Sequence, residues 1–218
     1  LVGADIRFIT PAQYRERAAL MAEVAAELAA QGERPYVIPE GGSNGLGSLG
    51  YVVCMQELRA QLDAGLAGAD PFDVIVHACG SGGTAAGVAL GAARYETAKA
   101  VWPMAVCDDV AYFTGVVDRI VAEARALEPS LPAPVPVAID DREKGPRYGV
   151  ASDDQKALIV SVARKAGLIL DPVYTGKAFA GFVRAARDGA LDGKRVLFLH
   201  TGGLPGLLAQ GDDLAAAL

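Results

Sequence analysis

The run Gly80-Ser81-Gly82-Gly83-Thr84 lies between a continuous apolar stretch, residues 72–78, and a small-residue helical pattern that reaches about Tyr95. Glycines there let backbone amides approach an anion, Ser81 and Thr84 add hydroxyl donors, and a helix N-terminus contributes positive partial charge. That chemistry suits a phosphate. The alternative is a tight strand-to-helix turn that uses glycine only for packing. Gly80-x-Gly82-x-x-Ala85 also satisfies a dinucleotide fingerprint, with Asp108 at the end of the next strand as a candidate ribose ligand. A nicotinamide-dependent oxidoreductase is therefore a rival reading. A nucleotide P-loop is excluded, because no Gly-Lys-Ser/Thr closes the run. The dinucleotide reading leaves two polar turns unexplained, DPVYTGK at 171–177 and HTGG at 200–203.

These turns recur at one place in a repeating pattern. Residues 72–78, 100–106, 168–170 and 194–199 read as buried strands without apolar-polar alternation, each followed by a polar or glycine-rich turn and then a helix. Such a pattern predicts an open α/β fold, a parallel twisted sheet covered by helices on both faces. Ligands bind beyond the carboxyl ends of the strands in these sheets, so the turns at 79–84, 171–177 and 200–203 should converge on one cleft. Further upstream, 1–9 and 36–38 read as strands. Thr10, Pro11 and Gln13 form a capping box for a helix with an apolar face at Leu20, Met21, Val24 and Leu28, stopped by Gly32. GGSNGLGSLG at 41–50 leads into another helix, and Asp109 and Ser152 open two more. The four prolines of residues 129–136 mark a surface crossover, and 140–152 reads as a polar loop.

The chain has 218 residues, 52% of them hydrophobic and 21% charged, which is the composition of an ordinary globular protein. It is long enough to bury roughly 70% of its unfolded surface and needs no disulfide or metal to make a core. Cys54, Cys79 and Cys107 are odd in number and far apart, which suggests neither a disulfide framework nor a zinc site. A reducing, cytoplasmic compartment is expected. The net charge of −6 and the absence of any basic run argue against nucleic-acid or anionic-membrane partners. No apolar segment reaches the length of a membrane span.

Taken together, GGSNGLGSLGY (41–51), CGSGGTAAG (79–87), GPRYGV (145–150), LDPVYTGKAFAG (170–181) and LFLHTGG (197–203) resemble the D-cysteine desulfhydrase and 1-aminocyclopropane-1-carboxylate deaminase family. The resemblance runs in order along the chain. It implies a pyridoxal-phosphate enzyme of the tryptophan-synthase β-like fold, known as fold type II. Thr175 after Tyr174 is closer to the desulfhydrase branch, since the deaminase branch resembles DPVYEGK. The roles implied are a phosphate cradle at Gly80, Ser81, Gly82, Gly83 and Thr84, a stacking ring at Tyr174, and a hydrogen bond from Thr201 to the pyridine nitrogen. A neutral partner there favours β-elimination over transamination. Tyr148 would sit over the substrate as an acid-base group or carboxylate contact, although a lone loop tyrosine is more often a packed aromatic. Ser43 and Asn44 would line the same cleft without an assigned role.

His77 and His200, both at strand ends, are expected to be satisfied core histidines, and Asp140 to Lys144 a solvated charged loop. Lys177 is expected to be salt-bridged or to serve the helix start, since in the resembling enzymes the lysine bonded to the cofactor lies elsewhere. That Schiff-base lysine belongs to a preceding portion of about 110 residues which these 218 do not contain, so this chain alone is expected to be inactive. Residues 1–38 would be the C-terminal remnant of a smaller domain and 39–218 the larger cofactor domain. The implied reaction is α,β-elimination from a small amino acid, giving ammonia and a 2-oxo acid: pyruvate plus sulfide from D-cysteine, with cysteate and the cyclopropane amino acid as alternatives. A homodimer is expected by resemblance. A non-catalytic protein that binds a phosphorylated ligand is the remaining class.

Overall fold

The computed structural model describes residues 2–215, which divide into two compact units on either side of the Glu40–Gly41 boundary. The first holds two helices, α1 (Pro11–Arg15) and α2 (Arg17–Ala30). The predicted capping box is present: the Thr10 hydroxyl accepts from the Gln13 amide and the Gln13 side chain accepts from the Thr10 amide. Among the described residues the strands expected at 1–9 and 36–38 do not form; Leu1 lies outside those residues. Residues 2–9 and 36–38 have no strand partner and stay irregular, with Val2, Ile6, Phe8, Tyr36 and Ile38 exposed. An alternating pattern needs a ladder as well as a face, and none is supplied here.

The second unit contains three parallel strands, β1 (Val74–Cys79), β2 (Val101–Ala105) and β3 (Val196–Leu199), in the order β2-β1-β3. Its helices are α3 (Gly45–Asp63), α4 (Gly83–Tyr95), α5 (Val110–Leu127), α6 (Asp153–Ala166), α7 (Thr175–Arg187), α8 (Leu204–Ala209) and α9 (Gly211–Ala215). Every residue of β1 is buried. Ile75 packs with Met55 of α3 and Val88 of α4, and Cys79 with Phe113 of α5, while Val74, Val76 and Ala78 face Ala178 of α7. The open α/β sheet covered on both faces is thus realised. Residues 168–170 differ from expectation: no strand forms there, although Leu170 is fully buried. The proline-rich crossover continues into a segment that runs parallel to β2, with bridges at Val101–Val137 and Met104–Asp140.

Close helix contact sets the geometry at the sheet's carboxyl edge. A Cβ at Gly87 of α4 would stand 2.2 Å from the Ser48 carbonyl oxygen and 2.6 Å from Tyr51 Cβ, both in α3. Gly87→Ala should therefore force the two helices apart and cost about 1–3 kcal/mol, read as a lower urea midpoint at unchanged slope.

His77 is fully buried in β1, as expected of a core histidine, but only half satisfied. Nδ1 lies 2.8 Å from the Ala78 carbonyl oxygen, and Nε2 has no hydrogen-bond partner. Burial pushes its pKa down to about 4 from 6.5, with the Ala78 bond opposing. Between those values the unfolded chain binds a proton that the folded chain refuses, so stability falls as pH drops from about 6.5 towards 4. The whole span is worth about 3 kcal/mol. Denaturation of the wild type and His77→Leu across that range checks this: the variant's acid-side loss should be shallower by that amount, and parallel curves would overturn the assignment.

Candidate active site

Four turns of the second unit meet at the carboxyl edge. The first, Gly80–Gly83, leaves β1 and enters α4. Gly82 caps α4 at φ +85°, a left-handed conformation that glycine adopts without strain. No side chain caps α4, whereas α3, α5 and α6 are each capped by their own Asn44, Asp109 and Ser152. Its first amides thus remain available to an anion. The packing alternative also holds part of the truth. Cβ atoms at Gly80, Gly82 and Gly83 would approach Tyr174, Val116 and Ser43 at 3.1, 2.8 and 2.8 Å, so these glycines serve packing as well as backbone exposure.

The second turn, residues 41–44, is tied to the first through its serine. Ser43 Oγ donates to Ser81 Oγ at 2.7 Å, and Asn44 accepts from the Gly47 amide to open α3. Sequence alone left both residues without a role; the structure sets Ser43 against the glycine turn and makes Asn44 a helix cap. Thr84 lies in the first turn of α4, half-buried.

The third turn is built on Asp171. Its carboxylate is buried and accepts the amides of Val173, Tyr174 and Thr175 at 2.7, 2.8 and 2.8 Å, together with the Thr175 hydroxyl at 2.7 Å. These bonds hold the Tyr174 ring against Gly80. The fourth turn, 200–203, closes on the same carboxylate: a Cβ at Gly203 would fall 2.1 Å from Asp171 Oδ1. Thr201 stands in that turn, exposed. His200 differs from expectation. It is a surface residue whose Nε2 contacts the Ile169 carbonyl oxygen at 2.8 Å and whose Nδ1 accepts the Gly202 amide at 3.3 Å, so it shapes the turn instead of filling the core.

Tyr148 comes from the 140–150 loop. Half of its surface is exposed, but its hydroxyl hydrogen-bonds to that of Tyr174 and the two rings meet edge to face at 5.8 Å. Lys177, three residues after Tyr174, is fully buried; its ammonium donates to three backbone carbonyls and makes no salt bridge of the kind expected. Burial pushes its pKa down to about 8 from 10.5, opposed by Cys107 and Asp171. The loop expected to be solvated is partly structural: Arg184 of α7 pairs with Asp140 at 3.1 Å and with Glu143 at 3.0 Å, all three largely shielded.

Comparison with known proteins gives the family and its cofactor. Residues 1–202 match the family described as pyridoxal-phosphate dependent enzyme. The chain belongs to that family. It is 35% identical over its whole length to a bifunctional D-cysteine desulfhydrase/1-aminocyclopropane-1-carboxylate deaminase of Arabidopsis thaliana, covering 54% of that protein. A putative 1-aminocyclopropane-1-carboxylate deaminase of Thermotoga maritima is 39% identical, with 98% of this chain and 66% of that one aligned. The crystal structure of a homologue of the deaminase superposes with a TM-score of 0.79 at 36% identity, over 93% of this chain and 60% of that one. The chain thus spans between half and two thirds of these relatives. Pyridoxal phosphate is the family's cofactor, and the dinucleotide reading with Asp108 is set aside.

The residues present fit that group. An uncapped helix start faces a glycine turn with two hydroxyls, and a half-buried ring packs beside it. Ser43 and Asp171 are the contributors that motif reading left without a role. For Asp171 a signal was legible, since Asp with Thr four residues later is a common turn-capping pattern. Asp171→Ala should orphan three buried amides and lower stability by roughly 2–4 kcal/mol, with Asp171→Asn milder because one acceptor oxygen survives. Urea denaturation of both variants, ranked against the wild type, measures this.

Proposed function

We propose that this chain is the larger, cofactor-binding part of a pyridoxal-phosphate lyase that eliminates the β-substituent of a small amino acid and releases ammonia and a 2-oxo acid. For D-cysteine the products are sulfide and pyruvate. The observation that carries this reading is the meeting of Tyr148 and Tyr174 hydroxyls beside an uncapped glycine turn. Thr175 after Tyr174 supports D-cysteine; the relatives' names divide between the two substrates, the Arabidopsis protein carrying both and the Thermotoga protein the cyclopropane amino acid. Cysteate is the third substrate to be tried. When bound, the cofactor supplies an electron sink for charge that develops at the substrate α-carbon.

In this reading the amides of Gly82, Gly83 and Thr84, with the Ser81 and Thr84 hydroxyls, bind the cofactor's phosphate dianion at the positive end of α4. Ser43 orients the Ser81 hydroxyl through their hydrogen bond. The Tyr174 ring stacks on the pyridine face, and its flat surface loses little freedom in doing so. Thr201 offers a neutral hydroxyl to the pyridine nitrogen. Tyr148 holds or transfers a proton at its phenolic oxygen, where the Tyr174 hydroxyl is in reach to share it.

Residues 1–38 are read as the remnant of a smaller domain, with Val2, Ile6, Phe8 and Ile38 on the surface that its remainder covers, and 39–218 as the larger domain. The three free cysteines suit a reducing, cytoplasmic location, and the reading includes a homodimer. Among the described residues no helix is long and apolar enough to cross a membrane.

The decisive experiment uses protein expressed from the complete gene. Borohydride trapping of pyridoxal phosphate should label a lysine outside these 218 residues, and D-cysteine should yield a 2-oxo acid. Tyr148→Phe should retain the cofactor and lower kcat by about 10²–10⁴. Tyr174→Ala should weaken cofactor binding by up to about tenfold. A label on Lys177, or cofactor binding without 2-oxo acid from any of the three substrates, would overturn the reading.

A further inference from the structure

Lys177 has no exposed surface, and the chemistry above gives it no task. An ammonium carries three N–H donors, and here each meets a backbone carbonyl oxygen: Val106 at 2.9 Å, Lys144 at 2.8 Å and Arg147 at 2.8 Å. Val106 follows the last residue of β2, Lys144 and Arg147 belong to the 140–150 loop, and Lys177 itself sits in the first turn of α7. One cation therefore joins three separate pieces of chain. Carbonyl oxygens gathered around one point repel one another and lack a donor unless a cation stands between them, and a ring of carbonyls is how proteins replace the hydration shell of a small cation.

The surroundings are fitted to this arrangement. Gly145 adopts φ +74°, and a Cβ there would lie 3.1 Å from Lys177 Nζ and 2.8 Å from the Val150 carbonyl oxygen. The turn closes around the ammonium because that position has no side chain. The residue after the Arg147 carbonyl is Tyr148, whose hydroxyl bonds to Tyr174, and Tyr174 stands three residues before Lys177 at the start of α7. The same helix start thus presents one tyrosine and the ammonium that anchors the other. The rest of the loop is held at its margins, by Gln155 on the Glu143 carbonyl and Gln210 on the Gly149 carbonyl.

We propose that the Lys177 ammonium acts as an internal monovalent cation seated in a carbonyl cage, and that by fixing the 144–147 turn it sets Tyr148 against Tyr174. Lys177 is then a positioning residue. The proposal rests on the functional reading of the two tyrosines given above, but its physical part, the cage and the loop, is testable without turnover.

The test is hydrogen exchange by mass spectrometry on the protein from the complete gene, comparing the wild type, Lys177→Ala and Gly145→Ala. In Lys177→Ala the amides of residues 141–150 should exchange about tenfold faster while β1 and α4 keep their protection. Ammonium or methylammonium chloride should restore protection in that variant, and choline chloride at equal ionic strength should not. Should Lys177→Ala fail to fold, Gly145→Ala decides: with the lysine kept but the cage forced open, the same segment should loosen. Unchanged exchange of 141–150 in the folded variants overturns the proposal. So does a rise spread over the whole chain that ammonium leaves untouched. On the same samples, Lys177→Ala should lower kcat with little change in KM, and should add nothing to the loss caused by Tyr148→Phe; additive losses would make Lys177 merely structural. Absence of turnover in wild type, with the exchange pattern as expected, would sink the elimination reading and leave the cage standing.

Discussion

A full charge is costly inside a protein unless other groups replace the water that it loses, and residues 171–177 meet that requirement twice. Asp171 is a buried anion solvated by three backbone amides and a hydroxyl. Lys177 is a buried cation solvated by three backbone carbonyls. Each charge takes its ligands from the main chain and not from the other, so each fixes a turn. Asp171 fixes the turn that carries Tyr174 and supports 200–203, and Lys177 fixes the turn that carries Tyr148. Remove either and a cluster of like backbone dipoles is left facing inward without a counterpart.

That constraint acts at the carboxyl edge of a parallel sheet for a geometric reason. Each strand of such a sheet ends in a turn on the same side, and β1, buried on both faces, holds its neighbours in register: His77 pairs with Pro103 of β2 and with Leu199 of β3. Turns that are distant in sequence therefore leave the sheet side by side. The helices that follow are brought close by small residues, with Gly87 of α4 lying on the backbone of α3. Ser43 can reach Ser81 because those two helix starts are neighbours. Sheet order thus places the turns after β1 and β3, while those at 41–44 and 171–177, which follow no strand, are placed by α3 and α7 packed beside the sheet.

The same physics separates two kinds of glycine in this site. Gly82 is used for its backbone conformation, capping α4 at positive φ where no side chain caps the helix. Gly203 is used for its missing side chain, which lets a turn lie directly on the Asp171 carboxylate. Sequence motifs write both with one letter.

Much of the architecture was legible from the chain alone. The strand-turn-helix repeat, the helix-start residues Thr10, Asp109 and Ser152, and the glycine turn at 80–84 are local features, set by burial pattern and by hydrogen bonds a few residues long. The tyrosine ring, the hydroxyls and the glycine turn that meet at the sheet's edge could likewise be picked out by residue type and motif. What the sequence could not decide were matters of partnership at long range. The apolar alternation of residues 2–9 forms no strand because no ladder meets it, and 168–170 is buried without being a strand. His200 has the residue type of a core histidine but lies at the surface, and Lys177 has the residue type of a salt bridge but finds carbonyls 30 to 71 residues away. Local periodicity reports which face of an element is apolar; only the tertiary fold decides which backbone groups converge on a buried charge, because that depends on how separate turns are brought together.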